Sequence, residues 1–161
     1  ESPGAIVIFK PHPDVEAGLR PGAVVPAEAL RYADVLAVNA DPVALIDACD
    51  EVWTMTSTLG FEALLRGKPV TCLGVPFYAG WGLTRDLCAT PERRTAQPDL
   101  WQLAHAALIA YPRYFDPVSR RPCPPEVAVE RLAKDDVPRP GAANRALAKL
   151  QGLFASTPFW R

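Results

Sequence analysis

Three clusters of side chains in this 161-residue chain have the types and spacing to do chemistry. The first is Lys10-Pro11-His12-Pro13-Asp14, where a histidine stands between two prolines. Each proline fixes its own φ and biases the residue before it toward extended geometry. So stiff a loop holds the imidazole at a defined place; the plainer alternative is a surface histidine. The second cluster is Thr56-Ser57-Thr58, with Glu62 four residues after Thr58. Three hydroxyls at the start of a helix suit a phosphate, because a helix N-terminus adds unpaired N–H groups and partial positive charge. Glu62 has two readings. One is an i,i+4 pair with Arg66, worth a few tenths of a kcal/mol. The other is a carboxylate facing the ribose hydroxyls of a nucleotide whose phosphate rests on Thr56–Thr58. The third cluster is Gly74–Thr84 (GVPFYAGWGLT). Its Phe77, Tyr78 and Trp81 can cover a ligand or pack on their own domain, and Gly80 and Gly82 permit close backbone approach or positive φ.

The elements that must position these residues follow from the apolar pattern. Ala5–Phe9 (AIVIF) reads as a central parallel strand that ends at the His12 loop. Pro26–Tyr32 reads as a short helix and Val35–Val38 as a short strand. Asp41-Pro42 is a helix start, with a helix over Val43–Cys49. Val52–Met55 is a buried strand, Leu59–Arg66 a helix stopped by Gly67, and Val70–Leu73 a second buried strand. That strand–helix–strand unit makes its two strands parallel. Beyond Pro98 the pattern turns helical: Asp99–Tyr111, Glu126–Lys134 and Gly141–Phe154 are expected helices, with Tyr111–Pro125 irregular between the first two. The expected organisation is a Rossmann-like core over residues 1–97 and a helical region over 98–161 packed on the same domain. In doubly wound parallel sheets, ligands bind outside the carboxyl ends of the strands. The three distinctive loops leave such ends, so His12, the hydroxyl cluster and Glu62 are expected on one edge.

Composition narrows the classes. Apolar residues make up 49% and charged residues 22%, as in soluble globular chains. A net charge of −1 makes no case for nucleic acid. No apolar run approaches the length of a membrane-spanning helix, and no signal peptide is visible. The four cysteines are scattered, with no CxxC and no close Cys/His spacing, so no metal site is expected. Cys49 and Cys72 lie in apolar runs and read as small buried hydrophobes, which fits a reducing compartment. Arg93-Arg94 and Arg120-Arg121 read as solvated basic pairs, the alternative being contact with an anionic membrane surface or an anionic saccharide. Neither GxGxxG nor a Walker A loop occurs, so neither a dinucleotide fold nor an NTPase is favoured. The chain starts at Glu1 and its only methionine is Met55, which suggests a piece of a longer protein.

KPHPD followed by VWTMTSTLGFEALLRGKPVTCLGVPFYAGWGLTRD resembles the capsule polysaccharide β-Kdo transferases of the KpsC/LipB type, as does the later YPRYFDPVSRRPCPPEVAVERL. The resemblance covers most of residues 5–132. It implies the C-terminal, nucleotide-binding half of a GT-B glycosyltransferase that uses CMP-β-Kdo as donor, retains its β configuration and needs no further cofactor. It also implies a lipid-linked Kdo acceptor bound by a facing domain, and a cytoplasmic location with peripheral association at the inner face of the inner membrane. Full-length members carry two tandem modules, and older descriptions call them capsule export proteins. By the same resemblance His12-Pro13, with Lys10, contacts the donor phosphate. Thr56, Ser57 and Thr58 form the hydroxyl motif, Glu62 is the ribose carboxylate, and Tyr78, Gly80, Trp81 and Gly82 form a donor loop. The catalytic carboxylate stays unassigned; Asp14 and Asp86 are the only acids in the loops. The chain alone is expected to bind CMP and to transfer no Kdo. Two other readings remain at this point: a scaffold module of a capsule export complex, and a GT-B-like UDP-sugar epimerase.

Overall fold

The computed structural model describes residues 4–138 together with Gly141 and Leu147. The chain divides into two compact units, one built on the segment up to Asp41 and the other on Pro42–Pro138. The 97/98 boundary drawn from sequence falls inside the second unit.

In the first unit β1 (Ile8–Phe9) pairs in parallel with β2 (Val35–Leu36), with Ile8 beside Val35 and Phe9 beside Leu36. Asp34 starts the pairing, since its carboxylate accepts the Val7 N–H at 2.8 Å. Two single-turn helices, α1 (Pro13–Glu16) and α2 (Pro26–Ala29), lie between the strands, each opened by a proline at its first position. The expected central strand over Ala5–Phe9 is a correction. Only two of its residues pair, and Ile6, Val7 and Ile8 are exposed. A strand buried on both faces needs neighbours and cover on both sides. In this unit β1 has one partner strand among the described residues, and the helices are four residues each.

The second unit carries the larger core. Here α3 (Pro42–Ala48) leads to β3 (Val52–Thr54), α4 (Leu59–Leu65) and β4 (Val70–Cys72). β3 and β4 pair in parallel, as the strand–helix–strand pattern predicts, with Val52 beside Val70 and Thr54 beside Cys72. An unexpected β5 (Arg85–Asp86) adds in parallel on the far side of β4. One face of these strands gives Val52, Val70 and Cys72 to the core, where Phe61, Ala63 and Leu64 of α4 meet them. Ile46, Tyr78, Ala79, Leu103 and Ala104 complete that cluster. Gly67 ends α4 as expected: at φ 72° its N–H reaches the Leu64 carbonyl at 2.9 Å, and the Lys68 N–H reaches Ala63 at 3.0 Å. Arg66 then turns away to both carboxylate oxygens of Asp47 on α3, at 3.0 and 3.1 Å.

The last third departs most from the sequence pattern. Asp99 and Gln102 form a reciprocal capping box that starts α5 (Leu100–His105). The expected single helix to Tyr111 widens into a π-helical turn over Ala106–Ala110. The expected irregular stretch contains an antiparallel hairpin of β6 (Phe115–Asp116) and β7 (Arg121–Pro122). α6 (Pro125–Ala133) follows close to its expected place. The third expected helix, Gly141–Phe154, lies almost wholly outside the described residues. The hairpin is tied to α6 by Asp116, which is buried and accepts from Arg131 Nε at 3.1 Å and Nη2 at 3.2 Å. The N–H groups of Val118 and Ser119 also point at it, at 3.0 and 3.2 Å.

These donors, Arg131 foremost, hold the Asp116 carboxyl far below the usual carboxylate range. A carboxyl whose pKa is depressed on folding contributes stability that is complete above its unfolded value. That stability is lost as the pH falls through the folded value. Asp116→Asn is therefore expected to lower Tm at neutral pH. The gap to the parent chain should close as the pH falls below about 4. Thermal melts across that range read both outcomes; a gap that does not change with pH would rule out the ion pair as its source.

Candidate functional site

The turn between β3 and α4 places the three hydroxyls at the carboxyl end of a strand. Ser57 Oγ accepts the Leu59 N–H at 3.2 Å and so caps α4. Thr58, the residue before the helix, has helical φ and ψ (−60°, −18°), and its side chain caps nothing. Other amides of the first turn are also taken: Gly60 N–H by the Ser57 carbonyl at 3.3 Å, and Glu62 N–H by Thr58 at 3.1 Å. The row of unpaired amides expected from sequence is thus partly consumed within the helix. What the turn offers outward is the pair of exposed hydroxyls of Thr56 and Thr58, which make no hydrogen bond among the described residues.

The turn is supported from inside. Tyr78 is fully buried, and its hydroxyl donates to the Ser57 carbonyl at 2.5 Å. Burial, with the nearby Cys72, pushes the phenol well above its ordinary pKa, so it stays protonated as a donor. This contact exists because residue 60 is glycine. A Cβ there would stand 2.3 Å from the phenol oxygen and 2.9 Å from Thr54 Cγ2. The Tyr78 ring packs on Phe77 and Phe61, at centroid distances of 5.2 and 6.2 Å.

Glu62 lies exposed on α4, one turn from the hydroxyls. Its expected partner Arg66 is engaged by Asp47, so the i,i+4 pair is absent. The Glu62 carboxylate makes no ion pair or hydrogen bond among the described residues. A solvated carboxylate with no structural partner remains available to a ligand.

The Gly74–Thr84 loop is braced into its own unit. Gly80, at φ 77°, donates its N–H to Asp86 Oδ2 at 2.7 Å, while the Thr84 hydroxyl reaches Oδ1 at 2.7 Å. Asp86 is therefore a loop-former with both oxygens engaged. Trp81 Nε1 donates to the Phe77 carbonyl at 2.7 Å. Arg94 donates to the carbonyls of Pro76 and Ala79, at 2.8 and 2.6 Å, and lies 5.5 Å from the Trp81 ring centre. Arg94 was expected to be solvated like Arg93; it is instead the clasp of this loop, because the Pro76 and Ala79 carbonyls and the Trp81 ring face all lie within its reach. Gly82, at φ 81°, and the partly covered Trp81 form the outward part of the loop.

The His12 loop belongs to the first unit. His12 caps α1: its Nδ1 accepts the Asp14 N–H at 3.1 Å. A nitrogen that accepts carries no proton, so the neutral ring holds its hydrogen on Nε2 and presents that N–H outward. Pro13 occupies the first helical position and fixes the backbone next to the ring. Lys10 Nζ reaches Glu16 Oε2 at 2.7 Å and the Pro11 carbonyl at 3.2 Å. The other Glu16 oxygen accepts the Asn39 N–H at 3.0 Å. Lys10 first, then Asn39, holds the Glu16 carboxyl below its usual range. Lys10 thus braces the loop through Glu16, while Asp14 is exposed and its carboxylate lies 3.7 Å from His12 Nδ1.

Comparisons with known proteins follow from the same residues. The family described as capsule polysaccharide biosynthesis protein matches residues 1–114. The capsule polysaccharide modification protein LipA of Neisseria meningitidis, in serogroups A and B alike, is 50% identical over 133 residues. That match takes in 83% of this chain and 19% of LipA. The lipopolysaccharide-processing protein LpsZ of Rhizobium meliloti is 50% identical over 114 residues, 71% of this chain and 26% of LpsZ. The chain thus spans about a fifth to a quarter of the length of these relatives. Among solved structures, the β-Kdo 2,7 transferase of Thermosulfurimonas dismutans KpsC superposes with a TM-score of 0.71 at 40% identity, covering 83% of this chain and 42% of that one. The β-Kdo 2,4 transferase of the same KpsC gives 0.68 at 36% identity, covering 81% and 40%.

The capping geometry at His12 makes its own prediction. Nitrogen-15 NMR of the histidine ring should show Nε2 protonated and Nδ1 bare in the neutral form. The opposite tautomer would contradict the cap and the outward-facing donor.

Proposed function

The chain belongs to the capsule polysaccharide biosynthesis protein family, and from that premise we propose that it holds the donor nucleotide of a capsule β-Kdo transferase. The observation that carries the reading is the Thr56–Thr58 turn with Glu62 beside it. The turn has two unengaged hydroxyls, fixed from below, and a carboxylate whose structural partner has gone elsewhere. Similarity to two KpsC Kdo transferases supports the donor as CMP-β-Kdo and the parent architecture as GT-B.

In this proposal the chemistry asked of the chain is modest. Transfer breaks the bond between the anomeric carbon of Kdo and a phosphate oxygen of CMP, and negative charge grows on the leaving phosphate. Donors aimed at that charge lower the barrier. In the second unit the hydroxyls of Thr56 and Thr58 are the proposed donors and Glu62 the acceptor for the ribose hydroxyls; in the first unit the proposed donor is the Nε2–H of His12. Ser57 contributes through its backbone and its cap. Lys10 and Pro13 act on His12, one by bracing its loop and the other by fixing its backbone. Trp81 and Gly82 form the outward part of the proposed donor loop, held by Arg94 and, through Gly80, by Asp86. A retaining transfer also needs a group on the far face of the sugar and an acid or base at the acceptor hydroxyl. Asp86 is committed to Gly80 and Thr84, so no acid of the second unit's loops is proposed for that work. Those groups, and the site for a lipid-linked Kdo acceptor at the inner membrane face, are assigned to other parts of the full-length protein. Its relatives are four to five times the length of the stretch matched here.

Isothermal titration of the chain with CMP, with UMP and AMP as controls, tests the reading. CMP should bind at millimolar concentration or below and the others more weakly. No binding of CMP overturns the proposal, and a preference for a uridine nucleotide would favour a UDP-sugar epimerase instead. His12→Ala is expected to weaken CMP by about 1.5–3 kcal/mol, the worth of a hydrogen bond to a charged group. Its Tm should change little, because His12 lies outside the core. Glu62→Gln should weaken CMP while leaving inorganic phosphate binding intact; equal CMP affinity would remove Glu62 from the site.

A further inference from the structure

The buried end of the hydroxyl turn carries a second assignment, which rests on the nucleotide reading above. Of the two readings open for Tyr78, covering a ligand or packing on its own domain, the second holds: no part of it is exposed. Its one polar atom goes to the Ser57 carbonyl, the middle peptide of Thr56-Ser57-Thr58. The ring is fixed on two sides by Phe61 and Phe77. The oxygen occupies a gap that only glycine at position 60 leaves open. We infer that Tyr78 and Gly60 are positioning residues for the phosphate-binding hydroxyls: the phenol sets the plane of the Ser57–Thr58 peptide, and Gly60 admits the phenol.

Without the phenol donor, the Ser57 carbonyl keeps only the Gly60 N–H, at 3.3 Å. At that length the contact is weak. The peptide plane between Ser57 and Thr58 is then free to rotate, and both flanking hydroxyls move with it. A shift of about an ångström in groups that hold a charged ligand weakens binding well beyond the loss of one neutral contact. Tyr78 touches no ligand in this account, because it lies wholly beneath the turn.

The test separates positioning from plain stability. Tyr78→Phe keeps the ring stack and removes one oxygen. In the chain it should weaken CMP and inorganic phosphate about tenfold, in line with the loss of a hydrogen bond that orders a charged site. Cytidine, which has no phosphate, should bind as before. Leu103→Ala, in the same core but away from the turn, serves as a control for lowered Tm, and it should leave CMP affinity unchanged. Gly60→Ala, whose methyl meets the phenol oxygen, should repeat the Tyr78→Phe pattern and reads the same contact should that variant not fold. Equal losses of CMP and cytidine, or a matching loss in Leu103→Ala, would reduce Tyr78 to a core residue and overturn the inference. So would unchanged phosphate affinity in Tyr78→Phe and Gly60→Ala while the parent chain binds CMP. If the parent chain binds no CMP, the nucleotide reading itself fails and this inference falls with it.

Discussion

The close approach of α4 to the Gly74–Thr84 loop is the constraint on which the second unit depends. It requires a residue with no side chain at position 60, because any Cβ there would meet both Tyr78 and Thr54. Once the helix can come that near, Tyr78 is drawn fully inside, and Phe61 and Phe77 close around its ring. Burying a phenol would cost free energy if its hydroxyl went unpaired. The Ser57 carbonyl satisfies it, and the turn that carries the hydroxyls is tied to the core by the same bond. Packing and site geometry are therefore one arrangement here, and a change made for either is felt by both.

The same economy appears in the loops. Asp86 spends both oxygens on the backbone and side chain of its own loop, and Arg94 spends its charge on two carbonyls and a ring. Lys10 and Glu16 do comparable work beside His12. Among the described residues Glu62 is one of the charged groups that no such bond engages. A carboxylate that neither caps nor pairs, one turn from two unengaged hydroxyls, is the feature that sets this surface apart from the braced loops.

Much of this was legible in the chain, and the parts that were not have physical reasons. Two apolar runs around a helix ended by glycine gave β3, α4 and β4, because apolar runs of strand length and a left-handed C-terminal residue both leave marks in sequence, although Trp53 and Met55 of the first run are exposed. The His12 turn was visible through its prolines, although the Nδ1 cap that fixes the tautomer needs coordinates. Tyr78 stayed between covering a ligand and packing on its own domain, because an aromatic in a glycine-rich loop carries no sign of which way it points. Gly60 drew no notice inside a helical pattern, where its role is decided by a tyrosine 18 positions later. The β6–β7 hairpin has two residues per strand and leans on Arg131, 15 positions from Asp116, so no local periodicity announces it. Ala5–Phe9 shows the opposite error: an apolar run that reads as buried but has one partner strand and exposed side chains.

The central claim is that the turn held over Tyr78 is where the nucleotide phosphate rests. Backbone amide NMR of the chain during a CMP titration tests it most directly. The account predicts that the largest shifts in the second unit fall on Thr56–Glu62, with Ser57 and Thr58 foremost, while the β6–β7 hairpin stays still. Saturable CMP binding that leaves the Thr56–Glu62 amides unmoved would contradict it.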